Sequence, residues 1–232
     1  MKNIANETPM DSLHGRSKWT IEYLKNEGIK DKTILNIGTG FGWFEYNVKD
    51  VVKEVYGIEP FEEGLSTAKK YLTEIPNIIL NTGSALELPF GDCTFDVVVS
   101  WDVIEHIPPN SEEQMVREMC RVLKPNGKIY LTTPHSSIIN NITDPAWLLI
   151  GHRHYSYSRM KKIFSTISNI EIDDMFTNGG GWTIINILNL YIAKWIFQKK
   201  PFFADFFNKK EDSQWEKRNG SNTLVVKAHK KM

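Results

Sequence analysis

The sequence predicts a doubly wound α/β fold, and three observations predict it. Short apolar runs alternate with helix-like segments as far as Pro134. Several of these runs are apolar at nearly every position, as strands covered on both faces of a parallel sheet are. The first run ends in three closely spaced glycines, Gly38, Gly40 and Gly42, at the place where such a sheet turns backbone N–H groups toward a ligand.

In chain order, SLHGRSKWTIEYLKN (Ser12 to Asn26) sets Leu13, Trp19, Ile21, Tyr23 and Leu24 among polar residues, which predicts an amphipathic leading helix closed by Gly28. TILNIG (Thr33 to Gly38), EVYGIEP (Glu54 to Pro60), NIILNTG (Asn77 to Gly83), FDVVVSW (Phe95 to Trp101) and GKIYLTT (Gly127 to Thr133) read as strands. Between them, FEEGLSTAKKYL from Phe61 reads as a helix, and so does SEEQMVREMCRVLK from Ser111, which opens on a Ser followed by acids. Beyond Thr133, SYSRMKKIFSTI predicts a helix, and NIEIDDMFT and SNTLVVKAHK predict two closing strands. The whole reads as a seven-stranded, mostly parallel sheet with flanking helices. Residues 1–232 form one domain, with a leading helical segment 1–30 and an insertion 178–220 expected to form part of an acceptor site or interface.

Composition narrows the class. The 232 residues are 41% hydrophobic and 24% charged, ordinary for a globular chain. Lys plus Arg and Asp plus Glu both number 28, so no net field draws the protein to a polyanion, and no nucleic-acid partner is expected. Two cysteines, Cys93 and Cys120, are too few for a disulfide framework, and the polar start MKNIANETPMD lacks the apolar run of a secretion signal. A cytoplasmic setting follows as the expectation.

The glycine turn points to a nucleotide-like ligand. A dinucleotide fingerprint needs GxGxxG, but here Gly42 comes one position early and Trp43 stands in the third-glycine slot, which weakens an NAD-dependent oxidoreductase as an alternative. Glu59 lies about twenty residues past the turn, the distance at which a carboxylate accepts from both ribose hydroxyls. Its plainer role is to end a strand before Pro60.

ILNIGTGFGWF, VYGIEP, GSALELPFGDCTFDVVVSWDVIEHIPP and LKPNGKIYLTTP, in this order across roughly residues 31 to 134, resemble the class I methyltransferases that use S-adenosylmethionine (SAM). Within them the resemblance is to the methyltransferase type 11 branch that includes ubiquinone-biosynthesis O-methyltransferases. It implies a Rossmann-like fold, SAM as cofactor, and Gly38, Thr39, Gly40 and Gly42 beside the cofactor's methionine part. It also implies Glu59 and Pro60 at the ribose, Ser84, Ala85 and Leu86 along the adenine, and Ser100 and Trp101 near the transferring methyl. The family usually carries acids where this chain has Asn36 and Ser84. Neutral acceptors are weaker by roughly 1 kcal/mol, so weaker SAM binding is expected, improved by Asn36→Asp. A SAM-binding regulatory protein without turnover is the alternative these two residues suggest.

Methyl transfer asks the protein to align an acceptor atom and exclude water, and it needs a base only if the acceptor must lose a proton. His106, in SWDVIEHIPP, is the candidate base, because an imidazole titrates near neutral pH; packing at the helix start before Pro108 and Pro109 fits it equally. His154, in GHRHYSYSRMKKIF, is a second candidate for the acceptor pocket, beside a plain surface-loop role. Asp102 and Glu105 flank His106 with metal-compatible chemistry, but such acids are common at turns and no metal is expected. The insertion's GWTIINILNLYIAKWIFQKKPFFADFFNKK is apolar, aromatic and edged by Lys199, Lys200, Lys209 and Lys210. It is too short and polar to span a membrane. It reads instead as a cover for a small or lipid-like acceptor, as peripheral membrane contact through 182–207, or as a packed helix.

Overall fold

The computed structural model describes residues 8–143, 152–199, 201–217 and 220–232. Seven strands, β1 (Thr33–Ile37), β2 (Glu54–Glu59), β3 (Ile78–Thr82), β4 (Phe95–Trp101), β5 (Leu123–Pro134), β6 (Ile170–Asn178) and β7 (Thr223–Lys230), form one sheet in the order β3-β2-β1-β4-β5-β7-β6. β7 runs antiparallel to both its neighbours, and the pairs among β1 to β5 are parallel. Every residue of β1 is buried, which suits Ile34, Leu35 and Ile37 and leaves Asn36 as a polar residue inside the fold. From β1 the chain passes to β2 and β3 on one side and to β4 and β5 on the other, so a crevice opens beyond the carboxyl ends of β1 and β4.

Alternate strand residues feed two cores. Leu35, Ile37 and Val98 join Met115, Met119 and Phe164 on one face, while Ile34 and Val99 join Trp19, Leu24 and Phe44 on the other. The helices are α1 (Gly15–Asn26), α2 (Trp43–Val48), α3 (Glu62–Leu72), α4 (Glu112–Val122), α5 (Ile138–Thr143), α6 (Tyr157–Ser165), α7 (Gly181–Tyr191), which runs into a π-helical turn at Ile192–Ile196, and α8 (Ala204–Trp215). Residues 1–7 of the expected leading segment lie outside the described residues, as does Lys200 of the insertion.

The leading helix and the insertion are tied together. The residue before α1, His14, provides no side-chain cap. The cap comes from far along the chain: Gly15 N–H donates to Asp212 Oδ1 at 2.5 Å, and Lys18 Nζ to Asp212 Oδ2 at 3.0 Å. A carboxylate there also complements the helix dipole. At the other end Gly28, at φ 82°, takes the left-handed conformation that ends a helix.

Candidate active site

The three glycines of the turn have different jobs. All are left-handed, Gly38 at φ 89°, Gly40 at 55° and Gly42 at 86°. A Cβ on Gly38 would meet Val103 Cγ2 at 2.4 Å, and one on Gly42 would meet Leu72 Cδ1 at 2.5 Å. Those two let neighbouring side chains close on the turn. Around a Cβ on Gly40 none of the described residues lies within 4 Å, so this glycine faces open space where a ligand can approach the backbone. Gly38 and Thr39 N–H donate to the Ile58 carbonyl at 2.9 and 3.0 Å, and Gly40 N–H donates to Glu59 Oε1 at 2.7 Å. The sheet register that pairs Ile37 with Ile58 thus puts the Glu59 carboxylate at the mouth of the turn.

Beneath the turn lies a buried polar pair. Asn36 Nδ2 donates to Glu45 Oε1 at 2.8 Å, with Asn36 1% and Glu45 0% exposed. Gly57 makes the room, because a Cβ there would lie 2.6 Å from Glu45 Oε1. Burial raises the Glu45 carboxyl to about 7; the Asn36 amide opposes the rise and the Glu59 charge adds to it. Asn36 Oδ1 and Glu45 Oε2 have no hydrogen-bond partner among the described residues. Sequence reading missed Glu45. The available signal was its place beside Phe44 and three before Val48, on the face that α2 buries.

The other predicted cofactor residues line up along the strand ends. Gly83 N–H donates to the Glu59 carbonyl at 2.8 Å, which ties the segment Ser84, Ala85, Leu86 to Glu59. Ser84 is exposed and its Oγ accepts from Leu86 N–H at 3.1 Å. Pro60 is exposed beside Glu59. Ser100 pairs with Ile37 across β4 and β1; it and Trp101 are buried, and Ser100 Oγ and Trp101 Nε1 have no hydrogen-bond partner among the described residues.

A cavity of about 360 Å³ opens at the end of β4. Arg16, Asp102, His152 and His154 form a polar wall, and Ile184, Ile187 and Leu190 of α7 an apolar one. Asp102, at φ 53°, accepts from Thr132 Oγ1 at 2.8 Å and pairs with Arg16 Nη1 at 3.0 Å, so α1 closes over the strand end. His154 is 9% exposed, with Nδ1 2.7 Å from Asn141 Oδ1. His106 is exposed and is not among the cavity's lining residues; its ring lies 4.8 Å from that of His152, which is. Desolvation first, and then His152, lower the basicity of His106. Behind them Glu105 accepts from Thr133 Oγ1 at 3.1 Å, and its other oxygen lies 3.8 Å from His152 Nε2. Burial, and then the Asp102 charge, push its carboxyl well above the usual range. Glu105, His106 and His152 are thereby brought together with ligand-type atoms within 4.8 Å of one another, a juxtaposition that spacing in the sequence did not reveal.

The family model described as Methyltransferase domain matches residues 35–131. A relative in Mycolicibacterium smegmatis, named a "probable S-adenosylmethionine-dependent methyltransferase", is 33% identical over 143 residues, 62% of this chain and 53% of its own length. The ubiquinone biosynthesis O-methyltransferase of Shewanella sp. strain ANA-3 is 24% identical over 156 residues, 62% of this chain and 65% of its own length. The chain therefore spans about half the length of the first and just under two thirds of the second. The crystal structure of a SAM-dependent methyltransferase from Mesorhizobium loti superposes with a TM-score of 0.62 at 16% identity, covering 93% of this chain and 99% of that one, which is a likeness of fold. The matched segment holds the glycine turn, Glu59, Ser84 to Leu86, Ser100, Trp101 and His106; His154 and the insertion lie beyond it.

Proposed function

We propose that this chain, which matches the Methyltransferase domain model over residues 35–131 and resembles a SAM-dependent methyltransferase relative, is a class I, SAM-dependent methyltransferase that transfers a methyl group to a small or lipid-like acceptor, at oxygen. The observation that carries this reading is Gly40, left-handed, open on its ligand side and bonded to Glu59. The donor set fits the cofactor. Glu59, which accepts only, suits two ribose hydroxyls, and the partnerless Asn36 Oδ1 suits a cationic donor. When bound, SAM supplies a methyl carbon made electrophilic by its sulfonium.

The chain's own residues do the rest. The cavity walls hold the acceptor and keep water from the methyl. His154, inside the cavity, and His106, at its edge through His152, are the groups proposed to take the acceptor's proton. Ile184, Ile187 and Leu190 receive its apolar part. The oxygen assignment is supported by the name of the Shewanella relative.

The same reading includes a cytoplasmic enzyme that touches a membrane at its periphery. Among the described residues no helix is long and apolar enough to cross a membrane. Ile196, Phe197, Phe203 and Phe206 of the insertion are exposed, at 70%, 53%, 80% and 54%, which supports contact with an apolar phase. Incubation with methyl-labelled SAM and phenols with and without an apolar tail tests the function. Label in the tailed phenol is expected; SAM binding without transfer to any hydroxyl would favour a regulatory role. Co-flotation with anionic vesicles is expected, and its absence removes the membrane contact.

A further inference from the structure

Two buried oxygens beneath the glycine turn, Asn36 Oδ1 and Glu45 Oε2, have no hydrogen-bond partner among the described residues. Where Glu45 is ionised, only the amide nitrogen of Asn36 can donate to it, as Nδ2 does at 2.8 Å, and the amide oxygen is then left on the opposite fork. A carboxylate taken out of water is costly unless a cation or several donors meet it. Among the described residues, the groups packed around Glu45 offer no cation; its hydrogen-bond donors, Asn36, its own N–H and Thr39, oppose the rise that burial causes without cancelling it. β1 presents Asn36, the turn presents Thr39, β2 presents Glu59 with the same charge, α3 packs Ala68 and Leu72 at Gly42, and α1 adds Leu24 to the same core. A site of this kind is completed by a ligand that brings positive charge, and SAM brings a sulfonium and an α-ammonium.

Resting on the cofactor reading above, we propose that Glu45 is the acid of the cofactor site: it holds Asn36 so that Oδ1 meets the cofactor's cationic end, carries the charge that β1 lacks, and loses a proton as the cofactor binds. The O–H bond of the carboxyl breaks, the proton passes to solvent, and the cofactor's positive charge takes its place. Glu45 acts through Asn36 and is a positioning residue. With its carboxyl raised to about 7 by burial, about half of the free protein carries this proton at neutral pH.

The test is titration calorimetry of SAM at pH 7 in buffers of different ionisation enthalpy, on wild type and Glu45→Gln. The Gln side chain is close in shape and keeps an oxygen for Asn36 Nδ2; a thermal melt verifies folding. Wild type is expected to release about half a proton more than the variant. The cofactor's own α-amino group cancels in that difference. Glu45→Gln is expected to bind SAM about tenfold more weakly and 5′-methylthioadenosine, which lacks both positive charges, equally well. The double variant Asn36→Asp, Glu45→Gln, which moves the charge onto β1, is expected to recover most of the loss. Equal proton release in wild type and variant, or an equal loss for 5′-methylthioadenosine, overturns the proposal while leaving the cofactor reading intact. Wild type that binds no SAM overturns both.

Discussion

Replacing Glu45 with Gln changes how stability depends on pH in the free protein, with no ligand involved. The acid moves from an ordinary 4.5 in the unfolded chain to about 7 in the fold, chiefly through burial. The folded state therefore holds a proton that the unfolded state gives up. The contribution is fully present below pH 4.5 and is lost as pH rises toward 7, about 1.4 kcal/mol for each pH unit and about 3 kcal/mol in all. Above pH 8 the loss is complete. Gln cannot ionise, so urea unfolding of both proteins at several pH values isolates Glu45 in the difference, since all other titrating groups are shared. Wild type is expected to fall relative to Glu45→Gln by about 3 kcal/mol across this window. Parallel curves would refute the buried, proton-holding carboxyl.

Five other substitutions separate roles in and around the site. Gly40→Ala places a side chain in open space at a left-handed position; it is expected to cost about 1–2 kcal/mol of stability and to weaken SAM binding more than tenfold. Gly38→Ala drives a methyl into Val103 and is expected to lower the melting temperature more than Gly40→Ala does. Asp212→Ala removes the donated cap of α1 and is expected to cost about 1–2 kcal/mol by urea unfolding, with SAM affinity unchanged. With a transferable acceptor in hand, His154→Ala and His106→Ala are each expected to lower kcat, by on the order of a hundredfold or more for whichever takes the proton, with SAM affinity retained; near-normal turnover removes that residue from the base role.

The strands were legible because burial on both faces leaves little choice but apolar residues, as in β1 and β4. α2 was not, since its six residues are too few to set a helical period. The glycine turn could be read because a left-handed backbone selects glycine. Which glycine faces open space could not, because Val103 and Leu72 decide it from other elements. Asn36 looked like a weak acceptor that Asp would improve. With Glu45 2.8 Å away, Asn36→Asp alone instead sets two carboxyls together in a buried place, where one must keep its proton. The cap that Asp212 gives Gly15 crosses 197 residues, and His106 meets His152 from a distant part of the chain; no local pattern records such contacts.

Equilibrium binding of SAM to the wild-type protein, with NAD as control, tests the central claim most directly. Saturable one-to-one binding of SAM, lost in Gly40→Val and weakened in Glu59→Ala, with no NAD binding, is the predicted result. Indifference to saturating SAM, or NAD bound in its place, would contradict the account.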